Sequence, residues 1–298
     1  MACDFLVTGC RGRLGRDLVA SFSADHSVRG VDLEEFDIRD RERTLEVIRK
    51  VGPGIVLHAA AYTDVDGCEG NRELAMGANA DGAENVALAC REVGARMVYY
   101  STDYVFDGEA DRPYTEGDQT DPQTVYGQSK LAGERAVKNV LDDYVILRIA
   151  WLYGRHGRNF VKTVIKLGFQ QRHDLHGGRE IAPLKVVDDQ FGNPCWTMDI
   201  ARQTRTVLSG QLTGLFHATS EGETSWYGFT QAIFAALDID VVVEACTSDE
   251  FPRPAPRPRR STMTNQRLNE AGLNVMPDWK TSLETFLHEH GKELVHEL

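Results

Sequence analysis

The chain has 298 residues, 42% of them hydrophobic, which is enough to bury a sizeable core and argues against disorder. Its formal net charge of -12 argues against a nucleic-acid-binding protein, because such proteins need a basic face. The six cysteines lack CxxC or metal-ligand spacing, and neither a signal peptide nor an apolar run of about 20 residues is found. We therefore expect a cytoplasmic protein with reduced thiols that does not enter a membrane.

Short apolar strands alternate with amphipathic helices over the first half of the chain. The predicted strands are 5–8, 28–32, 54–59, 97–101 and 144–148. The predicted helices are 13–22, 41–50, 75–93 and 131–141. This alternation predicts an α/β fold, a Rossmann-type doubly wound parallel sheet with helices on both faces.

The alternation weakens after about residue 150. A helix over 160–168 and short strands follow, the pattern partly returns over 197–208, and a last helix begins near Ser282. Prolines exclude helix and central strand from 251–260. We therefore predict a smaller α/β substrate domain after the sheet, which shapes a substrate pocket.

A glycine-rich turn joins the first strand to the first helix in the pattern GxxGxxG. Glycine lets the backbone turn tightly and approach a pyrophosphate, and the helix N-terminus presents amide donors to it. Isolated matches to this pattern are often only turns, but here a strand precedes it and a helix follows it. The predicted cofactor-binding residues of the turn are Gly9, Arg11, Gly12, Arg13, Leu14 and Gly15.

The second strand ends at Asp32, whose carboxylate can accept hydrogen bonds from the adenosine ribose and repel a 2′-phosphate. That residue favours NAD(H), although an aspartate here can also simply form a turn. Arg11 and Arg13 favour NADP(H), since a guanidinium in the loop can hold a phosphate, unless they are solvated loop charges. The choice between NADP(H) and NAD(H) stays open at this point, and Asp37 and Ile38 are expected to flank the adenine.

Tyr126 and Lys130 are one helical turn apart, and the strand upstream of them ends in Ser101-Thr102. Carbonyl reduction needs a proton donor, and a lysine at i+4 can lower the pKa of a tyrosine and hold the nicotinamide ribose. The Thr102 hydroxyl can steady the carbonyl oxygen. We predict that this threonine, tyrosine and lysine are catalytic. Asn79 either organises a water-mediated proton path at the cofactor or is an ordinary polar helix residue.

Seven longer stretches carry more specific motifs. They are HAAAYTDVD at 58–66, STDYVFDG at 101–108, VYGQSK at 125–130, WLYG at 151–154, DQFGNP at 189–194, TSWY at 224–227 and PAPRP at 254–258. With them the chain resembles, over almost its whole length, the extended short-chain dehydrogenase/reductases and, among these, the dTDP-4-dehydrorhamnose reductase family. The resemblance implies an NAD(P)H-dependent enzyme that reduces the 4-keto group of dTDP-4-dehydro-β-L-rhamnose to dTDP-β-L-rhamnose.

The resemblance also implies a domain division and a set of site residues. The Rossmann domain would cover 1–150 with a returning segment near 186–217, and the nucleotide-sugar-binding domain most of 151–298. The family's catalytic residues correspond to Thr102, Tyr126 and Lys130. Further cofactor contacts fall on Ala59, Ala60 and Ala61. The sugar pocket would be lined by Thr63, Val65, Asp103, Tyr104 and Trp151.

The proline-rich segment concentrates four arginines in an otherwise acidic chain, at positions 253, 257, 259 and 260. Prolines lower the entropic cost of ordering the segment, and arginine can bind a diphosphate through two hydrogen bonds. We therefore predict that Arg257 binds the diphosphate of the nucleotide sugar. A polyproline ligand or a solvated linker is the alternative.

Two other functions and the assembly of the chain stay open. Another nucleotide-sugar 4-ketoreductase would share these motifs and differ in its pocket. A non-catalytic NADP-binding regulatory subunit, like that of methionine adenosyltransferase, would share the fold, although an intact catalytic trio argues against it. Some members of the family form dimers bridged by magnesium. Asp17 alone does not complete a ligand set, so we predict no metal site and leave a homodimer open.

Overall fold

The computed structural model describes residues 3–177 and 182–296. Its strands are β1 Phe5–Thr8, β2 Val28–Val31, β3 Ile55–His58, β4 Arg96–Thr102, β5 Tyr144–Ile149, β6 Leu152–Tyr153, β7 Leu184–Val187, β8 Phe191–Gly192, β9 Cys195–Trp196, β10 Gly214–His217, β11 Thr224–Ser225 and β12 Val243–Cys246. Six of them form a parallel central sheet in the order β10–β5–β4–β3–β1–β2. The predicted doubly wound sheet is confirmed.

The helices are α1 Arg13–Phe22, α2 Arg41–Val51, α3 Val65–Gly70, α4 Arg72–Met76, α5 Gly82–Val93, α6 Val125–Val140, α7 Phe160–His176, α8 Thr197–Ser209, α9 Trp226–Ala236, α10 Gln266–Glu270 and α11 Trp279–His296. Helix α1 could be predicted from its apolar periodicity, because Leu14, Leu18 and Phe22 recur at helical spacing and are all buried. Among the described residues, no helix is both long and apolar enough to cross a membrane.

The strand order places a crevice at one end of the sheet. Strand β1 lies between β2 and β3, and Thr8 at its end pairs with Val31 on one side and His58 on the other. The chain therefore leaves β1 and β3 towards opposite sides of the sheet. In doubly wound folds, ligands bind in the crevice that opens at this reversal, beyond the carboxyl ends of the strands.

Two helices of the sheet region differ from prediction. The single helix predicted over 75–93 is interrupted by a π-helical turn, Gly77–Asp81, between α4 and α5. A π-helical turn widens the helix locally, often at a side chain with a specific role, and here that side chain is Asn79. Helix α6 starts at Val125 rather than at 131, because the Thr124 hydroxyl caps it by accepting a hydrogen bond from the Gly127 amide at 3.0 Å.

The later part of the chain builds a second core and also returns to the sheet. Trp196, Phe229 and Phe286 are fully buried in this core, which α7, α9 and α11 surround. Helix α8 packs against α1, and β10 extends the central sheet beside β5. Helix α9 was not predicted, since its largely apolar sequence lacks a clear polar face. Segment 251–260 contains neither helix nor sheet strand, as its prolines predicted.

Candidate active site

Two adjoining cavities follow the crevice, and both are lined by Gly12, Ala59 and Ala61. The outer cavity, about 310 Å³, lies between the glycine turn and the loop after β2. The inner cavity, about 450 Å³, extends towards the second core and reaches Trp151. An elongated ligand can therefore occupy both cavities and pass the glycine turn between them.

The glycine turn forms the neck between the cavities. Gly9 adopts φ +69°, and a Cβ on it would stand 2.6 Å from the backbone nitrogen of Ala60, so only glycine lets these loops pack backbone to backbone. Gly12 caps α1, and Leu14 and Gly15 in its first turn line the inner cavity. The N-terminus of α1 thus points its free amides at the neck, where a pyrophosphate is favoured.

At the end of the crevice predicted for the adenosine, Asp32 lines the outer cavity but Arg11 does not. Asp32 lines the outer cavity and fixes the turn by accepting a hydrogen bond from the Arg11 amide at 2.8 Å. The Arg11 guanidinium instead forms ion pairs with Glu34 and Glu35 and lines neither cavity. Its predicted contact with a cofactor phosphate would require these pairs to open, and it stays a prediction.

Three further charged residues border the cofactor crevice. Arg13 lines the inner cavity, donates to the Leu152 carbonyl at 2.7 Å, and has its pKa lowered by burial. Asp37 and Ile38, which were predicted to flank the adenine, line the outer cavity. Arg39 also lines it and pairs with Asp37, with Nε at 2.9 Å from the carboxylate, which lowers the pKa of Asp37. Sequence reasoning missed Arg39, although its position two residues after Asp37 was a usable signal.

The predicted catalytic residues meet at the inner cavity. Thr102 is the last residue of β4, while Tyr126 and Lys130 lie on the first turns of α6, and all three line this cavity. The Thr102 hydroxyl donates a hydrogen bond to the Asp103 carboxylate at 2.8 Å, and it is close enough to the Tyr126 phenol to lower the pKa of that group. A carbonyl oxygen placed here can therefore meet a hydroxyl group and a phenol together.

Burial acts on this trio differently from the sequence-based expectation. Desolvation raises the pKa of Tyr126, and this effect is larger than the lowering by the neighbouring Thr102 side chain. Desolvation also lowers the pKa of Lys130 to about 7, with Glu134 opposing that shift. In the protein without cofactor, burial therefore outweighs any lowering of the tyrosine pKa by Lys130, and the lowering expected beside the oxidised nicotinamide stays a prediction. The phenol stays protonated at neutral pH, which is the form that a proton donor to a ketone needs.

A buried charge network supports the trio from behind. Glu134 is completely buried, accepts hydrogen bonds from Arg148 at 2.8 Å on each oxygen, and accepts another from Ser101 at 2.6 Å. The Lys130 ammonium lies 4.1 Å from the ring centroid of Tyr99. Sequence reasoning missed Glu134; its place one turn after Lys130 on the same helix face was the available signal.

Asn79 lies outside the lining of both cavities. Its amide bonds the backbone of Tyr62 in both directions, at 2.8 and 2.9 Å, and donates to the Ser129 hydroxyl at 2.9 Å. The residue therefore ties the loop after β3 to α6. This bonding agrees with the alternative of a structural polar residue, and its role at the cofactor stays a prediction.

The residues predicted for the sugar lie together in the inner cavity. Its lining includes Thr63, Val65, Asp103, Tyr104 and Trp151. Burial raises the pKa of Asp103 to about 6, so this carboxyl is protonated in mildly acidic solution. Trp226, which belongs to the TSWY motif and for which no role was predicted, also lines this cavity.

Arg257 does not reach the cavity lining. It pairs with Asp66 at 2.8 Å and donates to the Ala255 carbonyl at 3.0 Å. Its charge acts on the nearby phenol of Tyr104, which does line the cavity. A diphosphate at the rim would compete with Asp66 for this guanidinium, and that contact stays a prediction.

The doubly wound sheet, with a threonine, a tyrosine and a lysine at its crevice, defines the extended short-chain dehydrogenase/reductase fold. Residues 3–291 match the family described as RmlD substrate binding domain. The chain belongs to this family.

Named relatives agree over nearly full length. A dTDP-4-dehydrorhamnose reductase of Streptomyces griseus is 39% identical, covering 94% of this chain and 91% of the relative. A dTDP-4-keto-6-deoxy-D-glucose reductase of Streptomyces niveus is 38% identical, covering 95% and 96%. The crystal structure of dTDP-4-dehydrorhamnose reductase from Bacillus anthracis in complex with NADP is 37% identical with a TM-score of 0.91, covering 97% of this chain and all of that one.

Proposed function

We propose that this protein reduces the 4-keto group of dTDP-4-dehydro-β-L-rhamnose to dTDP-β-L-rhamnose with NADPH or NADH. The observation that carries the proposal is the meeting of Thr102, Tyr126 and Lys130 in the cavity that adjoins the glycine turn. The names of the relatives agree with this reaction and with a nicotinamide cofactor.

The crevice fits a dinucleotide. The close backbone approach at Gly9 and the N-terminus of α1 favour a pyrophosphate at the neck, with the adenosine towards Asp32 and Asp37. When bound, the nicotinamide supplies the hydride. At this end, the Lys130 ammonium holds the ribose hydroxyls of the cofactor.

Tyr126 and Thr102 act on the substrate oxygen. Tyr126 gives its phenolic proton to the keto oxygen as negative charge develops there. The Thr102 hydroxyl turns from Asp103, to which it donates in the free protein, and donates a hydrogen bond that stabilises the same oxygen. The raised pKa of the phenol keeps that proton in place until a ketone is present. Thr63, Val65, Asp103, Tyr104 and Trp151 orient the sugar.

The two cofactors use different groups in the outer cavity. Asp32 accepts hydrogen bonds from a free 2′-hydroxyl, as in NADH. Arg39 can turn from Asp37 to the 2′-phosphate of NADPH, because both side chains line the same cavity. We therefore expect both cofactors to be used.

The test is the oxidation of NADPH and NADH at matched concentrations with dTDP-4-dehydro-β-L-rhamnose, with the product identified by NMR. Turnover that yields dTDP-β-L-rhamnose supports the proposal. Preferred turnover of dTDP-4-keto-6-deoxy-D-glucose would assign instead the activity named for the Streptomyces niveus relative. Cofactor binding with no turnover of any 4-keto sugar nucleotide would favour a regulatory subunit.

The cellular setting belongs to the same proposal. An enzyme that draws on nicotinamide cofactors and sugar nucleotides works where both are made, so we place it in the cytoplasm. A homodimer stays open, and light scattering of the purified chain distinguishes it from a monomer.

A further inference from the structure

Trp151 adopts an unfavourable backbone conformation. Its φ is +42°, a left-handed value that bulky residues rarely adopt. The residue lies two positions after Ile149, the last residue of β5, and it lines the inner cavity at this end of the central sheet. Strain of this kind persists only where surrounding contacts enforce it, and it is common at ligand-binding sites.

Two neighbours hold the Trp151 indole in this position. Trp226 stacks on it with ring centroids 3.5 Å apart and planes at 4°. On strand β8, a Cβ at Gly192 would collide with the Trp151 ring, so only glycine leaves room for it. The two indoles therefore form one rigid aromatic surface, which we call the aromatic wall.

Trp226 is itself fixed by polar and aromatic contacts. Its Nε1 donates to the Gln190 side-chain oxygen at 3.1 Å, and the Gln190 amide donates to the Ser248 hydroxyl at 2.8 Å. The Phe160 ring lies 4.4 Å from it. With its indole N–H satisfied in this way, Trp226 can keep its ring against the cavity without losing a hydrogen bond.

We propose that Trp226 is a specificity-determining residue. It holds Trp151 in place and so completes the aromatic wall, which binds the C–H face of the substrate's 6-deoxysugar ring. The inference rests on the proposed function and adds a residue to it. The wall faces the same cavity as Thr102 and Asp103, so one ligand can meet apolar and polar surfaces together. A deoxysugar presents such a pair of surfaces, because its ring carbons and methyl group are apolar while its hydroxyls are not.

The experiment compares the binding of dTDP-β-L-rhamnose and of dTDP by calorimetry in the wild type, Trp226→Phe and Trp226→Leu. We expect Trp226→Leu to weaken the sugar nucleotide about tenfold and to leave dTDP unchanged, because only the sugar reaches the wall. Trp226→Phe keeps an aromatic ring and should lie between. In turnover, KM for the 4-keto substrate should rise while KM for NADPH stays constant.

Trp279→Leu is the matched control, since Trp279 is a buried indole of the second core that does not line the cavity. It should lower the melting temperature without a selective loss of the sugar nucleotide. Unchanged sugar-nucleotide affinity in folded Trp226→Leu or Trp226→Phe would overturn the proposal, as would equal losses for dTDP and dTDP-β-L-rhamnose. Failure of the proposed function would appear separately, as a wild type that does not turn over a 4-keto sugar.

Discussion

At the scale of single residues, burial determines which protons are available at the inner cavity. The Tyr126 phenol keeps its proton because desolvation disfavours the phenolate, whereas desolvation brings the Lys130 ammonium close to losing a proton near neutrality. The two groups therefore divide the work. The tyrosine keeps the proton that its proposed role as an acid requires over the whole physiological range, and the lysine is the group whose charge varies with pH.

Replacement of Tyr126 tests the proton donor. We expect Tyr126→Phe to lower kcat by at least about 100-fold, because a positioned general acid contributes about 10² to 10⁴ in rate. NADPH affinity should change little, since the ring remains. Steady-state turnover and a fluorescence titration with NADPH measure the two quantities. A variant with unchanged turnover would show that the proton comes from another group.

The pH dependence of cofactor binding tests the lysine. The pKa of Lys130 is about 7 in the folded protein, so its ammonium is present below that pH and is lost as the pH rises through it. NADH affinity should accordingly be greatest below about pH 7 and fall above it, by up to about tenfold per pH unit for one proton. NADH is the suitable probe because it has no titrating 2′-phosphate.

Lys130→Met is the control for this measurement. It should bind NADH weakly and with no dependence on pH between about 6 and 9, because its side chain has no charge to lose. A wild type with an equally flat profile over that range would contradict the assigned role of the ammonium.

At the scale of elements, the buried carboxylate of Glu134 connects the helix and strand that carry the predicted catalytic residues. Glu134 lies on α6 with Tyr126, bonds Ser101 beside Thr102 at the end of β4, and pairs with Arg148 on β5. Removing one member of a buried ion pair leaves the other charge uncompensated. The register of the helix against the two strands therefore depends on this pair.

We expect Glu134→Gln to lower the free energy of unfolding by about 3–5 kcal/mol, the range for breaking a buried pair. Urea denaturation measures it. Lys138→Met is the control, because Lys138 approaches the same carboxylate at 3.9 Å from a partly exposed position. That change should cost about 1 kcal/mol or less. Equal losses in the two variants would mean that the buried pair has no special role.

At the scale of the whole molecule, a few contacts connect the sheet to the later part of the chain around the cleft. Arg13 on α1 reaches the Leu152 carbonyl, and Asp66 on α3 holds both the Arg257 guanidinium and the Ala255 amide of the proline-rich segment. These contacts border the space where the two ligands would meet. A ligand that competes for them can couple binding to the fit between the two parts.

Arg257→Ala tests the proposed diphosphate contact. We expect it to weaken dTDP-β-L-rhamnose by about tenfold or more, the effect of losing a charge-assisted hydrogen bond, and to leave NADPH affinity nearly unchanged. Calorimetry with each ligand measures this. Arg253→Ala, at an exposed position of the same segment, should affect neither. Equal weakening of both ligands by Arg257→Ala would remove the assignment.

The sequence by itself determined the parts of this protein that depend on neighbours along the chain. Apolar periodicity located five of the six strands of the central sheet and most of its helices, but not β10, and the spacing of Gly9, Gly12 and Gly15 marked the turn at its crevice. The i+4 spacing of Tyr126 and Lys130 put both on one helix face, because helical geometry fixes that relation. The quoted motifs indicated the family, and the match over residues 3–291 confirms it.

Only the tertiary structure decided the partners and charges of the site. It engaged Arg11 with Glu34 and Glu35, set Asp66 against Arg257, and stacked Trp226 on Trp151. It also determined that desolvation raises the tyrosine pKa in the protein without cofactor, since desolvation depends on everything that surrounds a group. Most of these relations join residues far apart in the chain, and their energies come from burial, which local pattern does not encode.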